Sequence, residues 1–250
     1  MYEHSPVSGG AFVHRAFADS SAEMIFHYSG RFTELTPNGA TDSPLAHLQG
    51  QSTGVKRYST HTSFGIFGVY LYPYALPVLF PVSGGEIANR ICDFETLLKQ
   101  HGADFTERIM LAPGFESRAA LVSEFLLGRL RQCHSALLQE KYFAAMRALI
   151  HSSGIAAFNQ LAASSGFTER AFERRTKQYT GFSPKLLYRV ARFQQTAAAW
   201  GKTNISSLTE IALNNGYYDQ AHFIHEFKLF SGFTPGQYFF NQAEGTDYRG

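Results

Sequence analysis

Apolar positions fall into two regimes along this 250-residue chain. Up to about residue 85 they come in short β-branched or aromatic runs set among Gly, Ser, Thr and Pro. EMIFHYSG (23–30) and SFGIFGVYLYP (63–73) read as strands bounded by turn residues. The polar RFTELTPNGATDS (31–43), with Asn38-Gly39, reads as a loop or an irregular hairpin. From about residue 86 the spacing changes to threes and fours. Ile91, Phe94, Leu97 and Leu98 mark a first helix. A longer one runs over 117–139, with Ser117 as cap and Val122, Phe125, Leu126, Leu130, Cys133 and Leu137 on one side. That stripe suits either the body of its own domain or a second subunit.

Beyond Lys141 the pattern is helical throughout, and it repeats. Leu161-Ala162 and Gly166 recur fifty residues later as Ile211-Ala212 and Gly216. Phe172, Gly181-Phe182 and Pro184 recur after fifty-one as Phe223, Gly232-Phe233 and Pro235. Two copies are too few for a solenoid. Each copy has a short helix, a Gly break, a capping residue (Thr168, then Asp219) and a second helix. That order is a helix-turn-helix, although an ordinary pair of antiparallel helices uses the same Gly.

The faces of the second helices narrow the choice. In 219–230, Phe223, Phe227 and Phe230 share one side, with His225, Ala221 and Lys228 opposite and His222 at the shoulder. In 168–178, Arg170, Arg174 and Lys177 lie opposite Phe172 and Tyr179, with Glu173 at their edge. Cations opposite a core stripe suit a helix in a DNA major groove, where Arg pairs with guanine; a solvated charged face has the same look. The connector 183–200, opening with Ser183-Pro184, spans ~27 Å as a helix. It can therefore set two readers about 34 Å apart, one turn of B-DNA. Lys185, Arg189 and Arg192 on it, with Lys228, are candidates for phosphate contacts.

At this point the residues resemble a known family. The segment from about 141 to 240 resembles the DNA-binding domain of AraC-type transcription regulators. The resemblance is carried by Leu161-Ala162, Gly166, Phe172, Arg174, Gly181, Ser183-Pro184, Arg192, Ile211-Ala212, Gly216, Asp219-Gln220, Phe223, Phe227, Gly232, Pro235 and Tyr238. It implies base reading by Arg170, Glu173 and Arg174 and by Ala221, His222 and His225. Thr168, Lys177, Lys185, Arg189 and Lys228 fall to the phosphates. Thr176 stands where a large apolar residue usually packs, which implies a looser first unit, and His225 stands where Arg is common. Neutral imidazole donates and accepts, whereas imidazolium adds charge near pH 6.5, so affinity is expected to rise as pH falls from 7.5 to 6. Around GIFGVYLYPYALP (65–77) the chain also resembles the amino-terminal domain of one AraC-like subgroup, which implies sensing or dimerisation.

Composition and charge alter this picture little. A hydrophobic share of 44% against 17% charged excludes a disordered chain. No apolar run approaches the ~20 residues that span a bilayer, and MYEHSPVSGG lacks the layout of a secretory signal. The formal charge of +2 is uneven: residues 151–242 carry nine Lys and Arg against five Asp and Glu, and residues 1–150 twelve against thirteen. That bias points weakly to a polyanionic partner. Cys92 and Cys133 make no framework and read as small buried residues of a cytoplasmic protein. SGGE (83–86) reads as a turn ahead of a helix. His4, His14, His27, His47 and His61 read as surface or satisfied core residues. His222 and His225 have a spacing that can hold a metal, but Glu226 is expected on another side of the helix, so no metal or other cofactor is expected.

The expected architecture is a β-rich α+β amino-terminal domain followed by an all-α domain with two helix-turn-helix units joined by a long helix. Residues 1–115 would sense or dimerise, 116–140 form a linker helix, 141–242 bind DNA and 243–250 form a tail. Expected partners are double-stranded DNA, a small-molecule effector, RNA polymerase and a second copy, with no membrane. The rivals are an enzyme whose amino-terminal part is delivered to DNA by the tail, and an interaction module with no DNA function.

Overall fold

In the computed structural model the described residues are 1–4, 11–133, 140–151, 158–199 and 207–240. Leu137, residue 200 of the connector and the 243–250 tail lie outside them. The amino-terminal part is two facing antiparallel sheets backed by helices. One sheet has the order β1 (Tyr2–His4), β8 (Phe64–Leu71), β3 (Ala22–Ser29), β6 (Ala46–Gln49), β9 (Ile91–Asp93). The other runs β2 (Phe12–Ala16), β7 (Lys56–Thr60), β4 (Thr33–Thr36), β5 (Gly39–Asp42). The 31–43 stretch is thus a true hairpin, with Thr36 paired to Gly39.

The alternation of a strand decides which layer each side chain joins. From β3, Met24 and Phe26 are fully buried against the helices, in a core with Phe67, Phe94, Phe105, Ile109 and Val122. Glu23, Ile25 and His27, on the opposite face, line a cavity of about 60 Å³ with residues of β2, β6, β7 and β8.

Two sequence expectations shift here. Ile91 belongs to a strand, pairing with Gln49, because the Asp93 carboxylate caps the backbone amides of Glu95 and Thr96 and starts α3 (Phe94–Leu98) only there. After α1 (Leu76–Leu79), α2 (Gly84–Ile87), α3 and α4 (Gln100–Leu111) comes α5, Gly114–Gln132. Ser117 lies inside α5, which starts behind Pro113, so it is no cap. Val122, Phe125 and Leu126 pack into the amino-terminal core, where the Phe125 ring stacks on Phe105 at 4.1 Å, whereas Leu130 stays exposed. Cys92 and Cys133 are only half-buried.

The carboxy-terminal part comprises α6 (Glu140–His151), α7 (Phe158–Ser164), α8 (Glu169–Thr180), α9 (Pro184–Ala199), α10 (Leu208–Asn214), α11 (Gln220–Ser231) and α12 (Pro235–Phe240). The first unit builds its core on Tyr142, Met146, Phe172 and Leu187, and the second on Phe193, Phe223, Phe227 and Phe230. Both cores borrow residues from the amino-terminal part. Tyr74 joins the first, stacked at 5.3 Å on Phe143. Phe17 and Ala18 join the second. Gly84 meets α8 closely: a Cβ there would lie 2.1 Å from the Tyr179 carbonyl oxygen.

Candidate nucleic-acid interface

In the first unit Gly166 takes the turn at φ 79°, and the Thr168 hydroxyl accepts from the Ala171 amide to cap α8. Phe172, Thr176 and Thr180 face the core, and Arg170, Glu173, Arg174 and Lys177 are exposed. Thr176 is fully buried, its hydroxyl 3.3 Å from the Met146 sulfur and 3.5 Å from the Tyr142 hydroxyl. Arg175 turns away from the exposed face, its guanidinium over the rings of Phe167 (5.1 Å), Tyr142 and Tyr179 (both 5.4 Å).

The second unit repeats the design. Gly216 turns at φ 71° and Asp219 caps α11 by accepting from the His222 amide at 2.7 Å. Ala221, His225 and Lys228 are exposed opposite buried Phe223, Phe227 and Phe230. His222 is held differently. Its Nδ1 lies 3.3 Å from the Tyr218 amide and its Nε2 3.3 Å from a Glu226 oxygen. Nδ1 is thus occupied by the backbone, and Nε2 is turned to the Glu226 carboxylate.

Glu226 is the residue the sequence reading misplaced. Its side chain is 2% exposed and accepts hydrogen bonds from Arg189 Nε and, at 2.5 Å, from Arg192 Nη2. Burial pushes its carboxyl up, but the two arginines more than offset that and hold it below the usual carboxylate range. Arg192 is itself buried, with Nη1 donating to the Gly216 carbonyl at 2.6 Å and the guanidinium 3.9 Å over Tyr217. Expected at a phosphate, Arg192 is instead structural, and Arg189 is ion-paired to Glu226. The local pattern could not show this, because Glu226 meets residues thirty-four and thirty-seven positions away. Only the four-residue spacing of His222 and Glu226 was a readable signal. Among the described residues, no group of three or more His, Cys, Asp and Glu is set to hold a metal.

The connector α9 begins as expected, the Ser183 hydroxyl accepting from the Leu186 amide. Lys185 is exposed on it. A cleft of about 760 Å³ is lined by Glu173 of α8, by Lys185, Tyr188 and Arg189 of α9, and by His222 and His225 of α11. Both second helices therefore open onto one concavity floored by the connector. Arg170, Arg174 and Ala221 are exposed but do not line it.

The amino-terminal cavity gathers His14, His27 and His47 with Glu23, Gln49 and Tyr58. The rings of His27 and His47 stack at 5.8 Å. Burial, then His47 and Arg31, pulls His27 down to about 4. Burial also takes His47 to about 4, against the pull of its hydrogen bond to the Pro44 carbonyl. Nδ1 of His27 is buried with no hydrogen-bond partner among the described residues.

Two family profiles match the chain: HTH_18, a helix-turn-helix domain, over residues 161–240, and DUF6597, a domain of unknown function, over residues 2–93. No curated protein matches it in sequence. Among solved structures, ToxT from Vibrio cholerae is similar at 11% identity and TM-score 0.48, over 92% of this chain and 97% of that one. ToxT with a bound naphthalenyl-butenoic acid scores 0.49 at 11% identity, over 92% and 98%. ToxT with bound unsaturated fatty acid scores 0.47 at 10% identity, over 95% and 96%. With two Gly-turned helix pairs on either side of sixteen described helical residues of connector, the segment that the profile matches is a double helix-turn-helix domain of the AraC type.

Proposed function

We propose that the chain reads two successive major grooves of one duplex and performs no chemistry on it. The observation that supports this is the exposure of Arg170, Arg174, Ala221 and His225 on α8 and α11, two helices that meet one cleft through Glu173 and His225 with the connector between them. Arg170, Glu173 and Arg174 read bases for the first unit, and Ala221 and His225 for the second. Thr168, Lys177, Lys185 and Lys228 meet phosphates; the Thr168 oxygen accepts within the cap and keeps its proton to donate. Sixteen helical residues of connector span ~24 Å, against about 34 Å between neighbouring grooves.

The amino-terminal part, residues 1–115 with α5, serves as the sensor and the dimerisation surface, and RNA polymerase is the downstream partner in the cytoplasm. At about 60 Å³ the cavity is well below the ~300 Å³ of a typical ligand pocket, so an effector enters it only as the two sheets part, and the unsatisfied His27 nitrogen is the polar group it meets there. The lining strands β2 and β3 are joined by the Phe17–Ser21 stretch that docks on the second unit, so an occupant can favour one arrangement of the two parts over another. Among the described residues, no helix is long and apolar enough to cross a membrane.

Selection from a random DNA pool tests the reading. Two enriched half-sites about 10 base pairs apart are expected. A single half-site, or no enrichment, counts against it.

A further inference from the structure

The internal repeat shows where the second reader departs from the first. At the offset of fifty-one, Ala221 corresponds to Arg170, His225 to Arg174 and Lys228 to Lys177. His222 falls on Ala171 and Glu226 on Arg175. In the first unit neither of those positions lies on the exposed face: Ala171 is half-buried, and Arg175 is held among three rings.

We infer that Glu226 is a positioning residue of the second reading helix: its buried carboxylate holds His222 and Arg189 within the protein and sets the roll of α11 on the connector, so that Ala221 and His225, not His222, meet base edges. This rests on the reading face proposed above.

Three observations support it. A carboxylate 2% exposed is tolerable only with charged partners, and here two guanidiniums supply them. Arg192 uses its planar fork on two elements at once, the Gly216 carbonyl of the turn and the Glu226 carboxylate of α11. Turn and helix are thereby indexed to the same point on α9. The Tyr218 amide can only donate, so Nδ1 of His222 accepts and the ring proton sits on Nε2, facing Glu226. Around His222 stand Glu226 of its own helix, the Tyr217 ring at 5.6 Å and Arg189 of α9, with Glu173 and His225 lining the same cleft.

The test combines ¹⁵N spectra of labelled histidines in the full chain, free and bound to selected DNA, with base-preference profiles of variants. The expected spectrum shows His222 protonated on Nε2 in both states. His222→Gln is expected to weaken binding to all sequences alike, leaving preferences intact. Glu226→Gln is expected to blur several adjacent positions of the second half-site by about tenfold. It leaves the first half-site sharp and steepens the salt slope by about 1 as Arg189 becomes free for a phosphate. A change of His222 tautomer on DNA binding, or loss of preference at a single base in His222→Gln, would overturn the inference. If Glu226→Gln fails to fold, the wild-type spectrum and His222→Gln still decide. A wild-type chain that selects no DNA sequence would strike the reading face itself, and the free-state tautomer would then test the Glu226 contact separately.

Discussion

The backbone amide of Ala18 donates to the carbonyl of Phe230 across 3.0 Å, joining the amino-terminal part to the last turn of the second reading helix. Side chains reinforce the joint. Gln194 of the connector accepts from the Ser20 amide and hydroxyl at 2.9 and 2.6 Å and donates to Asp19 at 2.8 Å. The Arg15 guanidinium lies 4.8 Å over the Phe233 ring. The second reader is thus partly built from residues near the other end of the chain.

Truncating Phe17 tests that joint. Its ring meets Phe193, Phe233 and Tyr238 edge-on and is 8% exposed. Phe17→Ala is expected to cost about 3 kcal/mol in denaturant unfolding and to loosen the second reader before the first. A cost below about 1 kcal/mol would show that the second core stands without it.

Gly84→Ala tests the other joint. The added methyl meets the backbone of Tyr179 and Thr180, which cannot yield as a flexible side chain does. The expected result is a loss of about 1–3 kcal/mol and faster amide exchange in α8. Unchanged exchange in α8 would mean that α2 does not brace the first reader.

Removing single reading residues separates bases from phosphates. Arg174→Ala is expected to cost about 1–3 kcal/mol and to relax preference in one half-site, and His225→Ala to relax the other. Weakening that is equal for every sequence would reassign these exposed residues to the backbone.

Lys185→Ala and Lys228→Ala are each expected to weaken binding across all sequences and to reduce the salt slope by about 1. Titrations between 50 and 200 mM salt measure it. An unchanged slope would place the lysine away from the duplex, whereas Arg189→Ala is expected to leave the slope nearly as it is because Glu226 already holds that charge.

Acid should destabilise the amino-terminal part in a defined window. His27 and His47 titrate near 4 when folded and near 6.5 when unfolded, so the unfolded chain binds their protons more readily. Stability is expected to fall as pH drops from about 6.5 to about 4, by an amount on the order of 3 kcal/mol per ring, and these rings add no further loss below that. Glu226, held below the usual carboxylate range, adds a separate loss under about pH 4. Urea unfolding at pH 7 and 4.5 checks the upper window, and His27→Phe should flatten it. An equal slope in that variant would locate the acid sensitivity elsewhere.

Much of the carboxy-terminal part was legible because its rules are local. Gly166 and Gly216 mark turns that need positive φ, Thr168 and Asp219 cap the helices that follow, and the spacing of Phe223, Phe227 and Phe230 orients α11. The strands 22–29 and 64–71 were legible for the same reason. The start of α5 was not, since Ser117 looks like a cap wherever it stands, and Ile91 fits a helix or a strand until Asp93 is seen to cap α3.

By itself, the sequence determined that two Gly-turned helix pairs flank a stiff connector, and which side of each second helix is apolar. Those properties depend on neighbours within about four residues along the chain. The tertiary structure alone decided which charges remain available: Arg170, Arg174 and Lys228 are exposed, while Arg189 and Arg192 are drawn to Glu226 and Arg175 to three aromatic rings. It also decided that Phe17 completes a core more than two hundred residues away and that His27 and His47 meet inside one cavity. The physical reason is that backbone periodicity is set by local sterics and hydrogen bonding, whereas the burial and pairing of a charge depend on whatever distant surface the fold brings against it.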